Sequence, residues 1–99
     1  FVSIHFNAHT NRSIKGIETF YFSSNGKQLA DSMQRRLAKR ISTRNRGSKR
    51  QHYAVLTKTR CPAALVECGF MSNPWEAKRC RSNWYKDALA EEIASGVAS

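Results

Sequence analysis

Residues 62–69 read PAALVECG, an apolar run that contains a single carboxylate, that of Glu67. A short apolar run between proline and glycine is typical of a strand that is buried on both faces of a sheet. Such strands occur chiefly in sheets that helices cover on both sides. The stretch from Ala63 to Cys68 therefore predicts an inner strand of an α/β fold, and Glu67 is its most unusual member.

Three more strands are predicted around this run. Residues 1–8 alternate between apolar and polar side chains, which predicts a half-buried strand with polar groups on one face. Residues 17–23 are rich in aromatic and β-branched residues, and residues 53–57 form a short strand candidate. Residues 9–16 and 42–51 have the composition of loops. The apolar positions of the first strand are Val2, Ile4, Phe6 and Ala8.

Three helices are predicted between and after the strands. Residues 27–41 and 83–98 each have apolar residues four apart, which indicates amphipathic helices, and Ser24 or Asn25 would cap the first. A further helix begins at Asn73, where a capping side chain precedes proline and a glutamate follows three residues later. The two stripes are Leu29, Met33, Leu37 and Ile41, and Tyr85, Leu89, Ile93 and Val97. The order predicts an α/β fold, a mostly parallel sheet flanked by helices.

Length and composition restrict the class of protein. The 99 residues allow one domain at most, and 40% apolar residues is a globular balance without the long apolar run of a membrane span. Cys61, Cys68 and Cys80 fit neither a disulfide framework nor paired zinc ligands, so we expect small buried apolar residues. The chain opens on Phe1 and a strand pattern without a signal peptide, so we expect it to begin inside a domain.

The charge balance indicates an anionic partner. Seventeen Lys and Arg against seven Asp and Glu give a net charge of +10, which suits nucleic acid, an anionic membrane surface or an acidic wall polymer. Eight cations without an acid between them could form a solvated surface or an anion-binding patch. Only Tyr53 among the aromatic residues lies nearby, which disfavours nucleic acid. The eight are Arg35, Arg36, Lys39, Arg40, Arg44, Arg46, Lys49 and Arg50.

His5 and Glu67 are the candidate site residues. Each lies near the carboxyl end of a predicted strand, and in open α/β sheets ligands bind at that edge. If the two strands are parallel neighbours, an imidazole and a carboxylate meet there, as a metal ligand and a general base would. His5 could instead be a hydrogen-bonded structural residue. A carboxylate in an apolar strand costs several kcal/mol unless it is paired or neutral, so Glu67 could instead form a structural pair with an arginine.

Six short segments extend over essentially the whole chain. The segments are 3–8 (SIHFNA), 16–18 (GIE), 29–30 (LA), 46–47 (RG), 53–56 (YAVL) and 62–73 (PAALVECGFMSN). Together they resemble, in the same order, segments of the zinc-dependent N-acetylmuramoyl-L-alanine amidases of bacterial cell walls and phage lysins. The ordered series is far more specific than any one segment.

The resemblance implies a function and two residue roles. His5 matches the last histidine ligand of the catalytic Zn²⁺, and Glu67 matches the catalytic glutamate near the zinc-bound water. The implied reaction is hydrolysis of the amide bond between the lactyl group of N-acetylmuramic acid and the L-alanine of the stem peptide of peptidoglycan. The implied setting is the bacterial cell wall or the extracellular space, including the periplasm or a phage lysin.

The chain also departs from this family. The early histidine and glutamate ligands have no counterpart, so residues 1–99 resemble the C-terminal half of a catalytic domain that is truncated at its N-terminal side. The missing half could be lost or supplied by another chain. His9 and His52 are weak substitutes as ligands, and Asn7 could orient His5 or form a turn. The alternative function is a catalytically incomplete basic module that binds anionic wall polymer or, less favoured, nucleic acid.

Overall fold

Four strands and four helices make up the chain, and the computed structural model describes all residues from 1 to 99. In chain order the elements are β1 (Val2–Asn7), β2 (Ile17–Tyr21), α1 (Ser24–Arg40), β3 (Asn45–Arg50), α2 (Ala54–Thr57), β4 (Ala64–Phe70), α3 (Pro74–Cys80) and α4 (Asn83–Ala98). None of the helices is long and apolar enough to cross a membrane.

The strands form one mixed sheet in the order β1-β4-β2-β3. β1 pairs with β4 in parallel and β2 pairs with β3 in parallel, whereas β2 and β4 are antiparallel. The predicted α/β fold with flanking helices is confirmed, and two of its three strand pairs have the predicted parallel direction. β4, which contains the apolar run, is an inner strand with a partner on each side.

The two faces of the sheet have separate cores. One face packs against α1 and α4, and we call it the helix face; its strand residues include Ile17, Ala64 and Val66. The opposite face, here the open face, has a smaller core in which Phe20 and Leu65 contact Leu56 of α2. The two-sided burial predicted for β4 is therefore confirmed, although only a one-turn helix covers its second side.

Two segments between residues 42 and 57 differ from the predictions. Asn45–Arg50 is an edge strand although its composition is that of a loop. An edge strand pairs on one side only and needs no apolar face, and its cations protect it from pairing with other chains. Ala54–Thr57 is a helical turn instead of a strand. It pairs with no strand, and a single turn is enough to place its one buried side chain, that of Leu56, against the open face.

The first strand is less buried than its alternation predicts. Val2 packs against the main core, but 55% of Ile4 and 43% of Phe6 are exposed. β1 lies at the edge of the sheet, where no helix covers the side chains of Ile4 and Phe6. The prediction of a half-buried strand is therefore wrong for these two side chains.

The helix predictions agree closely with the structure. α4 has the predicted bounds and buries Tyr85, Leu89 and Ile93, although Val97 at its end is exposed. α1 begins three residues earlier than predicted, because its cap is Ser23, whose hydroxyl accepts from the Gly26 amide. Cysteines 68 and 80 are buried as predicted, whereas Cys61 is exposed, and all three are free thiols.

Asn73 caps α3, as predicted. Its side-chain oxygen accepts hydrogen bonds from the amides of Trp75 and Glu76, which would otherwise lack partners in the first turn. We expect Asn73→Ala to lower the free energy of unfolding by about 1 kcal/mol in urea titrations. Asn83→Ala is the control, because Asn83 is exposed in the first turn of α4 and caps nothing. Equal effects of the two changes would contradict the assigned cap.

Candidate active site

His5 and Glu67 lie side by side in the sheet. β1 and β4 run in parallel, and the Cα atoms of the two residues are direct partners in the register. Glu67 alternates with Val66 and Cys68, which face the helices, so the carboxylate and the imidazole both lie on the open face. The structure therefore brings together the two residues that the sequence singled out.

The His5 side chain is exposed and held within its own strand. Its Nε2 atom is 2.8 Å from the hydroxyl oxygen of Ser3, which lies two residues earlier on the same face. This contact fixes the direction of the ring, which is what a metal ligand or a proton carrier requires of its neighbours.

Glu67 is partly buried and has an oxygen without a partner. Its Oε2 atom is buried and accepts no hydrogen bond, and Glu67 forms no salt bridge. Burial raises the pKa of this carboxyl, nearby His5 lowers it, and the charge of Glu18 raises it further. The structural pairing with an arginine is thus not observed. An unpartnered carboxylate with a raised pKa is a common property of catalytic acids and bases.

A second carboxylate lies next to Glu67, and the sequence did not single it out as a site residue. Glu18 on β2 is the antiparallel register partner of Glu67, and its side chain is buried. Lys49 on the edge strand donates a hydrogen bond to Glu18 and neutralises it. One ionisable side chain from each strand therefore forms a row across the open face, in the order His5, Glu67, Glu18 and Lys49.

The remaining candidates lie away from this row or have other partners. The His9 ring accepts from the Asn11 amide through Nδ1, and the His52 ring packs edge-on against Phe22 at 4.9 Å. Asn7, the last residue of β1, accepts from the Ala8 amide through its side chain, so it bonds to the backbone and forms no hydrogen bond with His5. Neither histidine ring forms a hydrogen bond with His5 or Glu67.

The residues present fit part of a zinc site. An imidazole nitrogen and carboxylate oxygens are donors that zinc prefers, and the buried Glu67 oxygen without a partner has a lone pair free for a cation or a proton. No group of three His, Cys, Asp or Glu side chains lies close enough to hold a metal ion. Catalytic zinc sites use about three protein ligands, so the donor types fit and their number does not.

Glu76 at the start of α3 ties the end of β4 to two other segments. Its carboxylate accepts from the Gly16 amide at 3.0 and 3.1 Å and from the Phe70 amide at 2.9 Å. The hydroxyl of Thr43 donates to it at 2.6 Å, and Arg79 completes the set at 3.4 Å. In a capping box the Glu76 carboxylate would accept from the backbone amide of Asn73, and this bond is not formed. The carboxylate instead joins the loop between β1 and β2 to the end of β4.

Gly16 can serve as a donor to Glu76 only as glycine. Its φ of 127° lies in the region that side chains rarely adopt, and a Cβ atom there would lie 2.5 Å from the carbonyl oxygen of Arg44. The GIE segment thus has two roles. Its glycine donates a hydrogen bond to Glu76, and two residues later Glu18 lies beside Glu67.

Four strands flanked by helices, with an imidazole next to a partly buried carboxylate on the open face, make this an α/β protein with a polar candidate site on its sheet. Comparison with known proteins identifies the family. The family model described as N-acetylmuramoyl-L-alanine amidase matches residues 1–99, and the chain belongs to this family.

Individual relatives agree with this assignment. The chain is 37% identical to the N-acetylmuramoyl-L-alanine amidase LytC of Bacillus subtilis over 100% of its own length and 21% of that protein. It is 30% identical to the probable cell wall amidase LytH of Staphylococcus aureus, covering 98% of this chain and 33% of LytH. A solved N-acetylmuramoyl-L-alanine amidase of Clostridium difficile 630 superposes with a TM-score of 0.92 at 38% identity, covering 98% of this chain and 54% of that one. The chain thus spans about half of this solved relative and a third or less of the two curated ones.

Proposed function

We propose that this chain is the C-terminal half of the catalytic domain of a peptidoglycan amidase, which hydrolyses the amide bond between N-acetylmuramic acid and the L-alanine of the stem peptide. The observation that supports this most directly is the carboxylate of Glu67, which lies beside His5 without a hydrogen-bond partner for its buried oxygen. A buried oxygen without a partner is costly for folding, so its retention is best explained by chemistry.

Glu67 acts as the general base in this proposal. Its raised pKa moves it closer to the working pH, where a base accepts a proton most effectively as water attacks the amide carbon. Glu18, neutralised by Lys49, lies on the opposite side of Glu67 from His5. His5 would hold Zn²⁺ in part, and the ion would supply polarisation of the amide carbonyl and stabilisation of the developing negative charge.

The further zinc ligands would come from residues outside positions 1–99. Because the chain spans 54% of the solved Clostridium difficile relative, we propose an N-terminal half that is joined to this chain or supplied in trans. The exposed edge of β1 and the exposed side chains of Ile4 and Phe6 offer that half a sheet edge and an apolar surface. The setting we propose is the bacterial cell wall or its outer surroundings.

We expect the 99 residues alone to bind zinc weakly and to cleave peptidoglycan poorly, because two protein ligands are lacking. Adding the N-terminal half of the LytC catalytic domain should raise dye release from labelled cell walls and give one zinc per complex. His5→Ala in that complex should abolish the stoichiometric zinc without loss of helix content in circular dichroism. Tight binding of one zinc by the isolated chain, unaffected by His5→Ala, would contradict the assignment of this ligand.

A further inference from the structure

The outer side of α1 has a group of cations without acidic partners. Arg35, Arg36 and Lys39 form no salt bridge, and together with Arg40 and Glu92 they line an open hollow of about 370 Å³. We call these three residues the cationic face. Asp31, whose pKa the charge of Arg35 helps to lower, and Glu92 in the hollow offset the mutual repulsion of these cations only in part, so an anion in the hollow would be stabilised by all three.

The hollow keeps a surplus of positive charge although two acids lie beside it. Arg40 donates to Glu92 at 2.8 Å and also to Glu91 at 3.1 Å. Arg40 balances one of these two carboxylates, so the other offsets only one of the three charges of the cationic face. Arg46 and Arg50 of β3 stack on Phe70 and Phe22 and do not line the hollow.

The cationic face lies on the other side of the molecule from the candidate active site. α1 buries Ala30, Met33 and Leu37 against the helix face of the sheet, whereas His5 and Glu67 lie on the open face. The sheet and the helix therefore separate the two surfaces. A polymer bound at the cationic face leaves the open face free for a substrate.

We propose that the cationic face binds a phosphate-bearing polymer without bases, such as an anionic wall polymer of the polyol-phosphate type. Its charge suits phosphodiester groups in series, since lysine and arginine bind each phosphate through charge and hydrogen bonds, whatever groups join the phosphates in the polymer. No aromatic side chain lines the hollow, so single-stranded nucleic acid finds no stacking surface there. This site does not depend on the proposed hydrolysis.

The test compares two polymers that have the same number of phosphodiester groups. Fluorescently labelled poly(glycerol phosphate) and labelled single-stranded DNA are titrated with the chain, and binding is followed by fluorescence anisotropy. We expect the base-free polymer to bind at least as tightly as DNA. Three phosphate contacts predict that affinity falls roughly 20-fold between 50 and 200 mM salt.

A matched pair of variants locates the site. Arg35→Gln/Arg36→Gln/Lys39→Gln removes the cationic face, and Lys58→Gln/Arg60→Gln/Lys86→Gln removes three exposed cations elsewhere, so each lowers the net charge from +10 by three. We expect the first to lose about tenfold or more in affinity and most of the salt dependence, and the second less than about twofold. Arg36 is half-buried, so its replacement could also disturb the fold. The second variant, Arg35→Gln/Lys39→Gln, changes exposed residues only, and we expect an intermediate loss of affinity.

Three results would overturn the proposal. Equal losses in the two triple variants would mean that net charge alone drives binding. Tighter binding to DNA that depends on the same three residues would favour nucleic acid as the partner. Stronger binding to vesicles with anionic lipid than to poly(glycerol phosphate) would favour a membrane surface instead.

Discussion

Glu67→Gln is expected to slow amide hydrolysis strongly while leaving the fold at least as stable as before. Glutamine has the size and shape of glutamate but cannot accept a proton from attacking water. General-base catalysis contributes roughly 10² to 10⁴ in rate, so we expect the turnover number of the completed amidase to fall by that factor. The measurement is dye release from labelled cell walls, with this chain joined to or mixed with an N-terminal half.

The expected gain in stability follows from the pKa of the carboxyl. Burial raises that pKa above the ordinary value of 4.5, so the folded chain binds the proton more tightly than the unfolded chain does. The resulting stabilisation is fully present below the unfolded pKa and is lost as the pH rises through the folded pKa. Above that window Glu67 is an ionised group with an unpartnered oxygen, and glutamine removes its charge.

Unfolding followed in EDTA between pH 4 and pH 8 tests this stability effect. The midpoint temperature of Glu67→Gln should exceed that of the natural chain by a few degrees at pH 8 and by less at pH 4. Asp87→Asn provides the control, because it also turns a carboxylate into an amide, at an exposed site on α4 that forms no salt bridge. Full hydrolysis by Glu67→Gln would remove Glu67 from the mechanism, and a large loss of stability would assign it a structural role.

The parts of the fold that burial determines were predictable from the sequence. The apolar run from Ala63 to Cys68 has few alternatives to an inner strand, and the stripe of α4 specifies a helix with its bounds. Asn45–Arg50 and Ala54–Thr57 were not predictable in the same way. The first is held by pairing with β2, and the second by the burial of Leu56 alone, so neither has a periodic pattern.

The part of the candidate site that depends on a parallel pair of strands was predictable from the sequence. His5 and Glu67 each lie near a carboxyl end, and a parallel pairing of their strands was sufficient to bring them together. Glu18 was missed because it lies next to Glu67 only through the antiparallel register of β2 with β4, and no local sequence pattern encodes that register. The available signal was a carboxylate within β2, whose other residues are apolar or aromatic except for Thr19.

Glu76 was misinterpreted for a related reason. Its position three residues after Asn73 fits a capping box, which is a local motif within one helix. In the structure its carboxylate receives amides from Gly16 and Phe70, residues that are distant in sequence or on the preceding strand. A local pattern thus predicted the start of α3 correctly and the partners of its glutamate wrongly.

We expect Glu76→Ala to be the most destabilising single change in the chain outside the apolar core. The variant leaves the amides of Gly16 and Phe70 buried without an acceptor and Arg79 without its carboxylate partner. Loss of one member of a buried charged network typically costs about 3–5 kcal/mol. Domains of this size have about 5–15 kcal/mol in total, so the variant should lose a large share of its stability.

Urea titrations and amide hydrogen exchange measure this loss. Glu76→Gln keeps one carbonyl oxygen as an acceptor and should cost less than the alanine variant, and Glu91→Ala on the exposed side of α4 should cost less than about 1 kcal/mol. Exchange should accelerate most at Gly16 and Phe70, the two amides that Glu76 accepts.

The ratio between the variants distinguishes a network from a helix cap. A cap alone is worth about 1 kcal/mol, so a Glu76→Ala cost no larger than that of Asn73→Ala would contradict the network. A cost several times larger, together with faster exchange at Gly16, would show that Glu76 holds the loop before β2 against the end of β4. Because that loop leads directly to Glu18, the same network then fixes the register that places Glu18 beside Glu67.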